Sequence, residues 1–159
     1  MERQRTYTWL DPAIVAANVG KVSGLEYLQS VVRGEVRAQI QDTLNFSLDH
    51  VEEGLSRWTL RPDEYHYNPA GTVHGGVVAT LLDSATSVAI WTTLPAGVAW
   101  TSLELKTTFI RPLTKESGPV TCEGRVINVG RRVGLAEAKV LDKDGRLCAH
   151  GLETCLIER

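Results

Sequence analysis

Cysteine, net charge and long apolar runs are all scarce in this sequence, and each scarcity excludes something. There are three cysteines, Cys122, Cys148 and Cys155. An odd, small number with no CxxC pair rules out a disulfide framework and predicts small buried residues in a reducing compartment. The four histidines, His50, His66, His74 and His150, show no metal-ligand spacing, so no metal is expected. Lys and Arg number 17 against 19 Asp and Glu, for a formal charge of −2 and a pI near 6.1. Such a balance gives no electrostatic reason to expect nucleic acid. No uncharged apolar run reaches the roughly 18 residues of a membrane span, because Asp83 and Pro95 interrupt the best candidate. The first residues, MERQRTYTWLD, lack the apolar stretch of a secretory signal, so a soluble cytoplasmic protein is expected. Internal repeats are absent, and no G-x-S-x-G marks a serine-hydrolase elbow.

What is present suits one globular domain: 159 residues, 43% hydrophobic and 23% charged. The first third reads as helical. In LDPAIVAANVG, Asp11 caps, Pro12 takes the first helical position and Gly20 ends the helix. In SGLEYLQSVVRG, Ser23 and Glu26 have capping-box spacing, and Leu25, Leu28, Val31 and Val32 form an apolar stripe before Gly34. Strand-like runs follow at 44–51 and 55–60, then an apolar helix over about 76–93. Beyond it the chain predicts strands at 102–111, 120–129, 133–141 and 146–157, separated by turn-rich RPLTKESGP, GRR and DKDG. This order predicts an α+β fold, with an antiparallel sheet curled around one central helix. Residues 1–40 are expected to form a helical extension and 41–159 the main domain.

The central helix carries an anomaly. Thr80, Asp83, Ser84 and Ser87 fall at i, i+3, i+4 and i+7, a narrow polar stripe on an otherwise apolar cylinder. Asp83 lies past the first turn and is no N-cap, and burying it ionised costs several kcal/mol unless it is hydrogen-bonded. Thr80 and Ser87, one turn to either side, are candidate partners. Upstream, NPAGTVHGG places Pro69 and Gly71 in a turn and Gly75-Gly76 at the helix start, where free N–H groups suit an anion or a developing oxyanion. His74 reads either as a catalytic group or as a tautomer-fixed residue shaping that loop. Gly75 and Asp83 are eight residues apart, roughly 12 Å along a helix axis. If both serve one carbonyl, they must come from two protomers with antiparallel central helices, which predicts a two-fold homodimer with sites across its interface.

The run Asn68–Asp83, NPAGTVHGGVVATLLD, resembles the signature of hotdog-fold acyl-CoA thioesterases of the phenylacetyl-CoA (PaaI-like) type. TSLELKTTFIRP, GRVINVGRRVGLAEAKVLDKDGRL and AHGLETCLI continue the resemblance from about Asn45 to the end. It implies a hotdog fold, dimers that often pair into tetramers, and hydrolysis of a CoA thioester with no metal or organic cofactor. By position it makes Asp83 the catalytic carboxylate, as water activator or nucleophile. The Gly75 N–H would polarise the thioester carbonyl from the other protomer, with His74 shaping the loop and Asn68 positioning water or thioester. Ser102, or neighbouring Thr101, matches a hydroxyl that orients the water, and Ser87 matches one used by related enzymes. By strand alternation Ser102 points opposite to Leu103 and Leu105, away from the core face. Gly76 and the cations Arg111, Arg131 and Arg132 are candidates for binding substrate, the arginines through the phosphates of CoA. The acyl substrate is expected to be aryl or medium-chain. Two other readings stand beside this one: a non-catalytic acyl-CoA-binding module, and an enoyl-CoA hydratase or dehydratase, although no acid stands shortly before His74 as the latter requires.

Overall fold

The computed structural model describes residues 1–158. Three short helices come first: α1 (Pro12–Ala16), α2 (Gly24–Val32) and α3 (Gln39–Leu44). Strands β1 (Phe46–Glu52) and β2 (Leu55–Leu60) follow, then the long helix α4 (Gly75–Trp91). The rest is β3 (Ala99–Phe109), β4 (Val120–Val129), β5 (Val133–Leu141) and β6 (Leu147–Glu158). The six strands form one sheet in the order β1-β2-β4-β5-β6-β3, and every neighbouring pair is antiparallel. This is the antiparallel sheet around one central helix expected from the strand and helix pattern, and the hotdog fold that the resemblance implies.

Helix α4 is the filling. Val78, Leu81, Leu82, Ala85, Thr86, Val88, Ala89 and Ile90 are buried, whereas Thr80, Asp83, Ser84 and Ser87 are half-buried along one line. The helix lies hard against the sheet at Ala85. Ser56 of β2 donates its hydroxyl to the Ala85 carbonyl at 2.7 Å, and Trp58 Nε1 donates to Ser56 Oγ at 3.1 Å. Gly124 of β4 sits directly opposite Ser56 in the ladder, and a Cβ there would stand 2.1 Å from the Ala85 oxygen. Only glycine admits so close a backbone approach.

The N-terminal helices close one end of this core. Tyr27 and Leu28 of α2 are buried, and Tyr27 packs its ring 4.9 Å from that of Trp91. The Gly24 N–H donates to the Leu94 carbonyl at 2.9 Å. Ser23 caps α2 by accepting from the Glu26 N–H. Helix α1 is shorter than Gly20 would allow, with turns from Ala17 onward.

Helix α3 replaces the first residue of the expected strand. It begins without a side-chain cap at Ala38, and Gln41 alone returns a bond, accepting from the Ala38 N–H at 2.8 Å. Asn45, in the left-handed region at φ 54°, turns the chain from helix into strand. The third long strand also shifts, running from Ala99 to Phe109 rather than 102–111. At its end the Ile110 and Arg111 N–H groups share the Cys148 carbonyl, so the ladder closes before Pro112. No helix among the described residues is long and apolar enough to cross a membrane.

Candidate functional site

The loop before α4 is built from short-range hydrogen bonds that its sequence supplies. Asn68 Oδ1 accepts from the Ala70 N–H at 2.9 Å and the Thr72 N–H at 3.3 Å, and Asn68 Nδ2 donates to Thr72 Oγ1 at 3.1 Å. Such an Asx turn holds the segment rigid. His66 anchors it from below: fully packed, it pairs its ring with the Asp63 N–H and the Leu44 carbonyl, and its own carbonyl accepts from the His74 N–H at 2.8 Å. Burial holds the His66 imidazole below its ordinary 6.5. The Nδ1 that accepts from Asp63 leaves the proton on Nε2, which donates to Leu44.

His74 is the N-cap of α4. Its Nδ1 accepts from the Gly76 N–H at 2.8 Å, which places the ring proton on Nε2. The two glycines therefore differ. Gly76 has its N–H taken by His74, while the Gly75 N–H meets no acceptor among the described residues. Gly75 also borders Phe109, whose ring would lie 3.2 Å from an added Cβ. Asn68, Gly75, Phe109 and Arg111 line a cleft of about 380 Å³ at this end of the helix. Arg111 is fixed there by donating to the Leu147 carbonyl at 2.8 Å.

Midway along α4, Ser102 Oγ donates to Asp83 Oδ1 at 3.0 Å. Neither neighbour on the helix stripe serves the carboxylate. Thr80 gives its hydroxyl to the Gly76 carbonyl at 2.9 Å, and Ser87 gives its own to the Asp83 backbone carbonyl at 2.6 Å. Turning hydroxyls back onto the helix in this way is the usual habit of Ser and Thr within helices.

Simple alternation fails for Ser102. The register with β6 slips between Ser102 and Glu104, so Leu103 bulges out with 58% of its surface exposed. Ser102 then pairs with Cys155 and Leu105 with Glu153, both inward-facing positions of β6. The bulge puts Ser102 in phase with Leu105, on the helix face, rather than pointing away from it. Thr101 pairs with Leu156, on the alternate face, so Ser102 alone of the two hydroxyls meets the acid.

Arg131 and Arg132 occupy the β4–β5 turn, in a groove with Leu156, Ile157 and Glu158, where the Ile157 N–H donates to the Arg132 carbonyl. Arg111 bonds beside the start of β6 and Arg132 beside its end. At about 3.3 Å per residue, those points lie roughly 30 Å apart. One chain therefore keeps Arg111 with Gly75 and keeps Arg131-Arg132 near the far end of α4, where Gly134 meets Ile90.

Beneath Asp83 lies a residue that the motifs did not mark. Glu153 of β6 is 0% exposed. Its Oε2 meets Thr86 Oγ1 in a short contact, and Cys155 Sγ donates to its Oε1 at 3.2 Å. The signal was present in the alternation of β6, where Ala149, Gly151, Cys155 and Ile157 are buried and Glu153 falls in phase with them. Beyond the acid, the stripe 83–87–91 leads to Trp91, which stacks on Trp100 of β3 with centroids 4.1 Å apart.

Comparison with known proteins agrees with this architecture. A model of the thioesterase superfamily matches residues 70–149. The chain is 34% identical over 98 residues to the proofreading thioesterase EntH of Klebsiella pneumoniae, covering 62% of this chain and 70% of that one. It is 29% identical over 96 residues to acyl-coenzyme A thioesterase 13 of Mus musculus, covering 60% and 67% respectively. The crystal structure of a phenylacetic acid degradation-related protein from Ralstonia eutropha superposes with a TM-score of 0.73 at 27% identity, over 82% of this chain and 98% of that one.

Proposed function

The chain belongs to the thioesterase superfamily and is a thioester hydrolase, and on that premise we propose that it cleaves aryl- or medium-chain acyl-CoA into free acid and CoA through Asp83. The observation that carries this reading is the Ser102–Asp83 hydrogen bond. It orients a helix-borne carboxylate by one oxygen, while Oδ2 has no partner among the described residues and is left to take a proton from water. The activated water attacks the thioester carbon, and the thiolate of CoA leaves. This chemistry uses no metal or organic cofactor.

The carbonyl oxygen needs a donor, and the Gly75 N–H at the start of α4 suits a developing oxyanion. On its own helix it lies roughly 12 Å from Asp83, so the donor to one Asp83 is Gly75 of the partner subunit. Strand β3 supports this arrangement. It is the sheet edge, eleven residues long, with Leu103 and Phe109 more than half exposed. Such an edge calls for cover, and a two-fold copy pairing through β3 sets the two α4 helices antiparallel. His74 fixes the loop and Asn68 holds its turn. Arg111 of one subunit and Arg131-Arg132 of the other lie at ends that the two-fold brings together, suited to CoA phosphates. The Trp91–Trp100 stack, continuous with Asp83 and Ser102, offers an apolar wall for the acyl group. The names of the mouse and Ralstonia proteins point to acyl-CoA and to phenylacetic acid metabolism as the substrate field.

Thiol release from a panel of acyl-CoAs tests this. Turnover by the native chain should fall at least about a hundredfold in both Asp83→Asn and Asp83→Ala, with folding intact. Tight binding of acyl-CoA by the native chain without thiol release would replace the reading with a carrier module.

A further inference from the structure

Glu153 is fully buried yet forms no ion pair among the described residues. Its cross-strand neighbours are Leu105 of β3 and Ala136 of β5, and the titratable groups facing it are Asp83 from α4 and Cys155 from its own strand. Among the described residues, no cation faces it from any of these elements.

The hydroxyls around it decide its protonation by a count of hydrogens. Thr86 Oγ1 lies 2.8 Å from the Leu82 carbonyl and 3.2 Å from the Asp83 carbonyl, besides its short contact with Glu153 Oε2. Thr86 has one hydrogen for these three neighbours, and of them only a carboxyl can bring a hydrogen of its own. With the Thr86 hydrogen on the helix backbone, as is usual for Thr within helices, the hydroxyl is an acceptor toward Glu153. Ser102 has committed its hydrogen to Asp83, so it has none left to donate to Glu153. A carboxylate would then have no donor at Oε2, whereas a carboxylic acid supplies the one O–H that the Thr86 contact needs. The Cys155 thiol completes the set as donor to Oε1, since burial pushes it up to about 12 and keeps it protonated.

We propose that Glu153 is a positioning residue for Asp83: a buried, neutral carboxylic acid whose O–H meets Thr86 across the seam between α4 and β6, and which, being uncharged, leaves Asp83 as the acceptor for the Ser102 hydrogen. The inference rests on Asp83 carrying the reaction. Burial is the main influence raising the Glu153 carboxyl above its ordinary 4.5, and the Asp83 charge acts in the same direction. The Ser102 and Thr86 hydroxyls would oppose this by donating to Glu153, but their hydrogens are directed elsewhere. Ionising Glu153 would place a second negative charge beside Asp83 and draw the Ser102 hydrogen away from it. Turnover then falls on the alkaline side.

Two measurements test the assignment. In the native chain with 13C-labelled glutamate carboxyls, one resonance should keep its protonated position at neutral pH while the others titrate normally. Glutamates that all titrate in the ordinary range overturn the proposal, and this readout needs no substrate and no variant. In kinetics, Glu153→Ala should lower kcat by about ten- to a hundredfold with little change in KM. Glu153→Gln, which keeps a donor but cannot ionise, should restore most of that loss and remove the alkaline limb of the kcat profile. A Glu153→Gln chain as inactive as Asp83→Asn, or one with the native alkaline limb, overturns it. A failure of the proposed function looks different, as absent thiol release in the native chain.

Discussion

At the scale of single residues, the site depends on where hydrogens are committed. The Gly76 N–H belongs to His74, which leaves the Gly75 N–H as the donor at the head of α4. Ser102, rather than Thr80, Ser87 or Thr101, serves Asp83. His66 shows the same economy and supports a pH prediction. Its folded-state value is lowered by burial, so the folded chain resists the proton that the unfolded chain accepts near 6.5. Its contribution to stability is therefore full above about pH 6.5 and is lost as the pH falls below that value. Melting temperatures followed from neutral pH to about pH 5 should fall more steeply in the native chain than in His66→Gln. Equal slopes would show that His66 is not the group responsible. The placement of Asp83 on the polar stripe, and of His74 and Gly75 at the head of α4, was legible in the sequence because it depends on helix periodicity and on neighbours a few residues away. The orientation of Ser102 was not, because the bulge at Leu103 arises only when β3 meets β6.

At the scale of elements, α4 is held by contacts between backbones. Ser56 and Gly124 face each other across β2 and β4 and together receive the Ala85 carbonyl. A methyl at Gly124 would meet Ala85 O and C at 2.1 and 2.4 Å, and neither backbone atom can rotate aside as a side chain could. Gly124→Ala should therefore cost at least about 2 kcal/mol, read as a lower denaturant midpoint at unchanged slope. A loss of a few tenths would mean that helix and sheet separate easily. The limits of β4 and β5 match the expected 120–129 and 133–141, since turn-forming residues bound them. Helix α3 leaves little trace in the sequence because it starts at Ala38 with no side-chain cap and lasts six residues. Glycine inside a strand is a recognisable sign of close backbone approach, so the role of Gly124 had a signal even though its partner did not.

At the scale of the whole molecule, one chain separates the parts that the proposed reaction joins. Asp83 and Gly75 are held apart by a continuous helix, and Arg111 is held apart from Arg131-Arg132 by the length of β6. Mixing Asp83→Ala with a bulky Gly75 variant such as Gly75→Ile tests the shared site. Half of randomly formed dimers would be mixed, each with one intact site of two, so about a quarter of native activity should return. No recovery despite subunit exchange, or an active monomer by sedimentation at micromolar concentration, would place the whole site within one chain.

The sequence by itself determined the fold class, the central helix and its polar stripe, because periodicity and turn chemistry are local and survive without knowledge of pairing. It also exposed the spacing of Gly75 and Asp83, since a helix converts residue number directly into distance. Only the tertiary structure decided which hydroxyl meets Asp83, which glycine keeps its N–H, and that Glu153 lies beneath the acid. Those facts depend on strand register, and one bulged residue reverses which side chains reach the helix.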